Sequence, residues 1–430
     1  MFWNKEIETL DRKEMKKRQL NNLKEVVNRA YHQVPFYQEK FDEKDLKPKD
    51  IKNLNDIQKI PFTTKDDLRD NYPYDLFACP LDDIVRLHSS SGTTGKPIVV
   101  GYTENDLANW TECVSRLIVA AGGKSEDIAQ VAFGYGMFTG GFGLHYGLEN
   151  VGMTVVPASS GNSQRQIMMM KDFGTNVLIS TPSYALYLSE VAEDMGVDIK
   201  ELDLRLGLFG GEGHTEEMRK EIARRWDIKV TENYGLSEIV GPGVSGECLE
   251  HEGLHINEDH FLAEIIDSDT GNVKDYGQKG ELVLTTLTKE GIPMLRYRTK
   301  DISLLYPEPC SCGRTTMRMN KILGRTDDML IVKGVNVFPS QIESVVVGIQ
   351  NLKPYYQIVV KKDGYMDDIE VRLEMSEDVD FDNFKVLKKT EENVKEELRS
   401  VLGIDVKVKL VEPRTLERTS GKAERVIDKR

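Results

Sequence analysis

No apolar run in the sequence comes near the ~20 residues that a bilayer-spanning helix needs. The N-terminus, Met1-Phe2-Trp3-Asn4-Lys5-Glu6, has no basic segment leading into an apolar one, so no signal peptide is expected. The reading is of a soluble, cytoplasmic chain. Cysteine is scarce. Cys79, Cys113, Cys248, Cys310 and Cys312 are five in 430 residues, too few and too odd in number for a disulfide framework. Positive charge is in deficit, 57 Lys and Arg against 71 Asp and Glu, a net −14. Such a chain is a poor general binder of nucleic acid or anionic lipid, so any polyanion must be met by a local pocket. What is left is ordinary globular composition, 39% hydrophobic and 30% charged, which excludes a disordered, collagenous or coiled-coil chain. At ~150 residues per domain the length suggests about three, though a large α/β domain can exceed that size.

Periodicity divides the chain. Leu20, Leu23, Val27, Ala30 and Tyr31 recur at helical spacing within Leu10 to Tyr37. Thr64, with Asp67 three residues on, reads as a helix N-cap. Residues 1–75 are thus expected to form a helical lead-in. From Val85 to Thr285 short apolar bursts, among them 128–133, 153–157, 177–180, 204–209 and 229–232, alternate with helix-length stretches. That is the pattern of parallel strands with crossover helices. Segments 261–266 and 280–286 alternate beside the turn Asp269-Thr270-Gly271-Asn272 and read as antiparallel strands. After Gly324, strands at 329–332, 357–360, 369–374 and 405–410 and helices at 340–347 and 384–401 suggest a separate α+β domain. The expected fold is therefore α/β, with a large domain over 1–326, mixed sheets flanked by helices plus a β-rich part, and a small mobile domain over 327–430.

Ser89-Ser90-Ser91-Gly92-Thr93-Thr94-Gly95-Lys96-Pro97 is the first segment that carries chemistry. Glycines let backbone N–H groups approach phosphate oxygens, the hydroxyls add donors, and Lys96 adds charge. It is not a Walker loop, which needs Gly six residues before the Lys, where this chain has Ser90. The segment resembles the phosphate loop of the adenylate-forming superfamily, which includes acyl-CoA synthetases, luciferases and nonribosomal adenylation domains. Four later segments extend the likeness in family order. Tyr234-Gly235-Leu236-Ser237-Glu238 is similar to the Tyr-Gly-x-Ser/Thr-Glu motif. Tyr297-Arg298-Thr299-Lys300-Asp301 is similar to Tyr-Arg-Thr-Gly-Asp, with Lys300 in place of the usual Gly. Gly324-Arg325-Thr326-Asp327-Asp328 resembles the hinge, and Arg418-Thr419-Ser420-Gly421-Lys422 the terminal lysine loop.

The resemblance implies roles that the side-chain chemistry suits. Glu238, a hard oxygen donor, would hold Mg²⁺ on the ATP phosphates. Asp301 would accept the ribose hydroxyls, with Arg325 reaching ribose or phosphate. Gly210, Gly211, Glu212 and Gly213 would lie against the adenine, Tyr234 could stack on it, and Asn233, Gly235 and Ser237 would also bind ATP. Lys422 would stabilise charge on the α-phosphate in the adenylation step and, with Glu238 and Lys96, complete the catalytic set. Asp327 would be the hinge. Lys333, Gly334, Val335 and Asn336 would line a pantetheine tunnel for CoA.

The likeness narrows to the phenylacetate-CoA ligase family through Val34-Pro35-Phe36-Tyr37, Ile60-Pro61-Phe62-Thr63-Thr64-Lys65-Asp66-Asp67-Leu68, Tyr135-Gly136-Met137-Phe138-Thr139-Gly140-Gly141 and Gly253-Leu254-His255-Ile256-Asn257-Glu258-Asp259-His260. It implies an aryl-CoA ligase that uses an aromatic acid, ATP and CoA. A flat apolar slot walled by Phe133, Tyr135, Gly136, Phe138 and Gly140 would take the ring. Acyl transfer to a carrier protein or an amine, and nucleotide binding without turnover, are the rival expectations. A homodimer is the common assembly for such chains.

Cys310 and Cys312, one residue apart, could share a metal. Cys248 and His255 could complete a tetrahedral zinc set, with His251 and His260 as competing fourth ligands. Both pairs lie outside the ATP motifs, so such a zinc would be a structural clip.

Overall fold

The computed structural model describes residues 1–89, 97–332, 335–363 and 366–430. Its compact units do not follow the chain in two simple blocks. The first comprises Met1–Ser180, Lys200–Gly211 and Lys229–Ile322; the second comprises Thr181–Ile199, Glu212–Ile228 and Leu323–Arg430.

The first unit is organised by a nine-stranded sheet. Its spatial order is Leu305–Tyr306, Arg318–Met319, Leu254–Ile256, Gly241–Glu247, Lys229–Leu236, Leu206–Phe209, Val177–Ser180, Ile128–Val131 and Thr154–Val156. From Lys229–Leu236 to Thr154–Val156 the pairs are parallel, and on the other side of Lys229–Leu236 they are antiparallel. The parallel strands are apolar because sheet neighbours and helices cover them: Val177–Ser180 and Leu206–Phe209 are buried at every position. A second antiparallel sheet joins Phe261–Ile266, Gly280–Thr286 and Tyr297–Ser303. The helix Glu104–Ala120, capped by Thr103 and Asp106, presses Trp110, Val114 and Leu117 into the core.

The lead-in is helical, with one break the periodicity did not show. Arg12–Gln33 ends at Val34, and Pro35 starts a new helix, Pro35–Asp42, because proline suits the first turn but cannot continue the helix before it. The Thr64–Asp67 capping box closes reciprocally at the head of Lys65–Asp70, as its sequence predicts.

In the second unit Leu352–Asp363 and Met366–Met375 pair antiparallel, flanked in parallel by Val426–Asp428 and Lys407–Val411. The helices Pro339–Val346 and Phe384–Leu402 bury Ile342, Val346, Val394 and Leu398 in the same core as Ile358, Val360 and Val371. Pro182–Asp194 and Glu216–Trp226 also belong to this unit. Among the described residues no helix is long and apolar enough to cross a membrane.

Candidate active site

In a parallel sheet, the loops beyond the carboxyl ends of the strands form the natural ligand crevice. Three sequence motifs occupy such ends in the first unit. Phe209 leads into Gly210 and Gly211, Val131 into Phe133 and Tyr135, and Lys229–Leu236 into Ser237 and Glu238. Lys229–Leu236 is also the strand at which parallel pairing gives way to antiparallel.

Close backbone approach explains two glycines here. A Cβ at 235 would stand 1.8 Å from the carbonyl oxygen of Gly241, and one at 210 would stand 2.7 Å from that of Asn233. Asn233 Nδ2 donates to the Phe209 carbonyl at 2.9 Å, tying the two strand ends together. Tyr234 Oη donates to Asp301 Oδ2 at 2.6 Å, so these two residues, 67 positions apart, form one unit. The Asp301 N–H donates to Thr299 Oγ1 at 3.0 Å. Glu238 is 8% exposed, and among the described residues no donor reaches its carboxylate. Carboxylate oxygens left open in this way suit a hard cation.

Lys300, the departure from the family pattern, has φ +66°, the left-handed region that favours glycine. Its N–H donates to Glu281 Oε1 at 3.2 Å, and Glu281 also pairs with Arg298.

The aromatic segment is a partly open surface. Phe133 is buried, and its ring lies 6.3 Å from Phe138, which is 39% exposed. A Cβ at Gly140 would fall 2.3 Å from the Phe138 ring, whereas Gly136 faces open space. Tyr135 meets Phe142 edge-on at 5.3 Å, and its hydroxyl is 3.0 Å from His145 Nδ1. Burial pushes the Tyr135 phenol well above its usual range.

In the second unit, Lys422 is exposed on a loop anchored on both sides. Thr181 Oγ1 donates to the Gly421 carbonyl at 3.0 Å, and the Ala423 N–H donates to Glu212 Oε2 at 3.0 Å. The other oxygen of Glu212 accepts from the Ser183 N–H at 2.7 Å. Glu212 thus spends both oxygens on backbone amides, and Gly213 faces open space. Arg325 forms a two-point ion pair with Asp327, at 2.9 and 3.1 Å. Burial raises the Asp328 carboxyl and Asp327 adds to the rise, while Arg325 and Lys422 oppose it. Val335 starts the strand Val335–Val337, paired with Leu330–Val332. Lys333 and Gly334 lie outside the described residues, as do Ser90, Ser91, Gly92, Thr93, Thr94, Gly95 and Lys96. The strands on either side of the latter segment, Arg86–Ser89 and Val99–Tyr102, pair antiparallel with Ser89 opposite Val99.

A second cluster lies in the antiparallel part of the first unit. The ligand atoms of Cys248, His255, Cys310 and Cys312 all fall within 4.8 Å of one another. The Sγ atoms of Cys248 and Cys310 are 3.8 Å apart, and Cys312 Sγ is 3.5 Å from His255 Nε2. The other ring nitrogen of His255 is 3.1 Å from Thr316 Oγ1. His251 lies instead beside Glu247, and His260 is hydrogen-bonded to Thr288. Buried Arg314 bridges the cluster to the N-terminal segment. Its Nη1 is 3.6 Å from Cys312 Sγ, and its Nε donates to Glu8 at 2.6 Å.

Comparison with known proteins decides the family. The AMP-binding enzyme family matches residues 7–287, and the AMP-binding enzyme C-terminal domain matches residues 334–430. Phenylacetate-coenzyme A ligase of Thermus thermophilus is 46% identical, over 100% of both chains. The enzyme of that name from Escherichia coli is also 46% identical, over 99% of this chain and 97% of its own. The chain belongs to the phenylacetate-CoA ligase family. A crystal structure of 2-hydroxyisobutyryl-CoA ligase in the postadenylation state matches with a TM-score of 0.95 at 27% identity, over 100% of this chain and 92% of that one. The chain is accordingly an adenylate-forming acid–thiol ligase with the α/β fold its motifs imply.

For this phenylacetate-CoA ligase family member the motifs located the segments but not their supports. Thr181, Ser183 and His145 lie outside the motifs, and each hydrogen-bonds a motif residue or its neighbour. Thr181 had one visible signal, its place before Pro182 at a helix start.

Proposed function

We propose that the enzyme joins an aromatic carboxylic acid to CoA in two steps. The carboxylate attacks the α-phosphorus of ATP, giving acyl-adenylate and pyrophosphate. The CoA thiol then attacks the mixed anhydride and releases AMP. The observation that supports the reading most strongly is the half-buried Tyr234–Asp301 pair one turn from a Glu238 whose carboxylate meets no donor among the described residues. Asp301 would hold the ribose and Tyr234 the base. Glu238 would hold Mg²⁺, which neutralises phosphate charge when bound. Lys422 would meet the charge that develops at the α-phosphate, and Asp327 would be the backbone pivot between the two steps, with Lys333, Gly334 and Val335 serving CoA. Phe133, Tyr135 and Phe138 favour a flat ring as the acyl group.

The test is pyrophosphate exchange into ATP across about twenty carboxylic acids, followed by CoA ester formation with the best of them. The proposal expects arylacetic acids to lead. Exchange with aliphatic acids alone would overturn the aromatic assignment, and a carrier protein preferred over free CoA as acceptor would overturn the thiol.

The Cys248, His255, Cys310 and Cys312 set fits zinc in ligand type, number and separation. Thr316 beside Nδ1 leaves Nε2 of His255 facing the thiols, as outer-shell partners of metal-bound histidine do. We assign it as a structural clip. Metal analysis should give about one zinc per chain, and Cys248→Ser should lose the metal and several degrees of Tm; a metal-free protein of unchanged Tm would refute the clip. All five cysteines are unpaired, which suits the reducing cytoplasm, where we place the enzyme, as a homodimer.

A further inference from the structure

The turn that carries Glu238 is held through its carbonyl oxygens. Lys289 Nζ donates to Ile239 at 2.6 Å, Tyr102 Oη to Val240 at 3.0 Å, and Trp110 Nε1 to Pro242 at 2.6 Å. Each donor is buried and comes from a different part of the first unit. Tyr102 and Trp110 stack at 5.0 Å, and the Lys289 ammonium lies 4.7 Å over the Tyr102 ring.

Lys289 is the anomaly among the three. It is 6% exposed, and its ammonium has one carbonyl acceptor and one ring face for three N–H donors. A leucine or methionine would fill the same space without the desolvation cost of a buried charge. Two carboxylates, Asp106 and Glu238, act on the ammonium. Asp106 is already satisfied by the backbone N–H groups of Glu290 at 2.7 Å and Gly291 at 2.9 Å. Among the described residues Glu238 has no such donors, and Ile239, whose carbonyl Lys289 grips, is its chain neighbour. The cation therefore does two things that an apolar residue could not. It fixes the backbone next to Glu238, and its positive charge acts on that carboxylate without donating to its oxygens.

From this geometry we propose that Lys289 is a positioning residue for adenylation, its buried ammonium holding the turn of Glu238 aimed at the metal–nucleotide. The inference rests on the reading of Glu238 given above.

Lys289→Met is assayed in each half-reaction separately. Adenylation should fall about 10- to 100-fold, the usual cost of removing an outer-shell partner, with a higher Mg²⁺ concentration needed for half-maximal rate. Thioester formation from supplied acyl-adenylate should stay within about twofold. Equal loss in both half-reactions would mean a role in the scaffold alone and overturn the proposal, as would adenylation within about twofold of the parent. If K289M is insoluble, Lys289→Gln keeps a donor for Ile239 and removes the charge. The same fall in adenylation is expected there, and parent-like activity overturns the proposal. Glu238→Gln separates the two readings. A fully active E238Q removes the assignment of Glu238 itself, whereas an inactive E238Q beside an unaffected K289M removes only that of Lys289.

Discussion

Glu238 and Lys422 are the two charged groups on which adenylation is expected to turn, and their supports are of different kinds. Glu238 is buried in a turn whose following carbonyls are taken by Lys289, Tyr102 and Trp110. Lys422 is exposed, and its loop is held through its neighbours: Gly421 and Ala423 make one hydrogen bond each, and Arg418 pairs with Glu374 and Glu190. The backbone that carries the acid is thus held from three elements. The cation's own side chain lies in solvent, and the contacts next to it, at Gly421 and Ala423, are single hydrogen bonds of about 0.5–3 kcal/mol each. A carboxylate proposed to hold metal–nucleotide has to be ready in every cycle. A lysine proposed to serve one step only can instead work from an exposed side chain.

The contrast can be broken at several points. Lys422→Ala should lower adenylation by about 10²–10³, the usual cost of losing one group that stabilises transition-state charge, and spare thioester formation from supplied acyl-adenylate. If both half-reactions fall together, the division of labour is wrong. Glu212→Gln replaces one of two acceptor oxygens with a donor facing a backbone N–H, a cost of about 1–3 kcal/mol. Up to about tenfold should be lost from adenylation while ATP affinity is kept; loss of ATP binding instead would return Glu212 to the nucleotide site.

A third measurement addresses the rigid side. Burial pushes Lys289 down to about 8 from its ordinary 10.5, against the opposing pull of Asp106 and Glu238. Between those values the unfolded chain keeps a proton that the native state has released, so stability contributed at this site rises with pH across that window. The difference in stability between the parent enzyme and K289M should accordingly move toward the parent by on the order of 3 kcal/mol from pH 8 to 10.5. A flat difference would place the ammonium in a wetter environment than the structure shows. The smallest effect is expected at Lys300→Gly, which relieves a left-handed residue and should stabilise by about 1 kcal/mol, near 2 °C in Tm.

Legibility in the sequence followed the range of the interactions. The strand Val177–Ser180 and the Thr64 capping box are dictated by neighbours in the chain, and both stand where the sequence places them. The strand Gly241–Glu247 was invisible, because Gly-Pro-Gly at its start argues against a strand unless buried neighbours enforce one. Helix propensity through Val34 hid the break that Pro35 imposes. At the site, motif spacing located Tyr234 and Asp301 separately, but only the fold joins the hydroxyl of one to the carboxylate of the other. Lys289 carried no signal at all, since a lysine between Thr288 and Glu290 reads as a solvated loop. The competition among His251, His255 and His260 turned on pairing, because His255 stands in a strand opposite Arg318, close to the loop of Cys310 and Cys312.

The mixed pairing of the large sheet also bears on how the molecule is made. Lys229–Leu236, Gly241–Glu247 and Leu254–Ile256 are successive in the chain and adjacent in space, so they can zip together over short loops. The parallel strands beside them need helix-length crossovers before any pairing rewards the closure of the chain. Nascent structure should therefore spread outward from the segment that bears Glu238, which would make the turn proposed to hold the metal also the earliest foothold during folding.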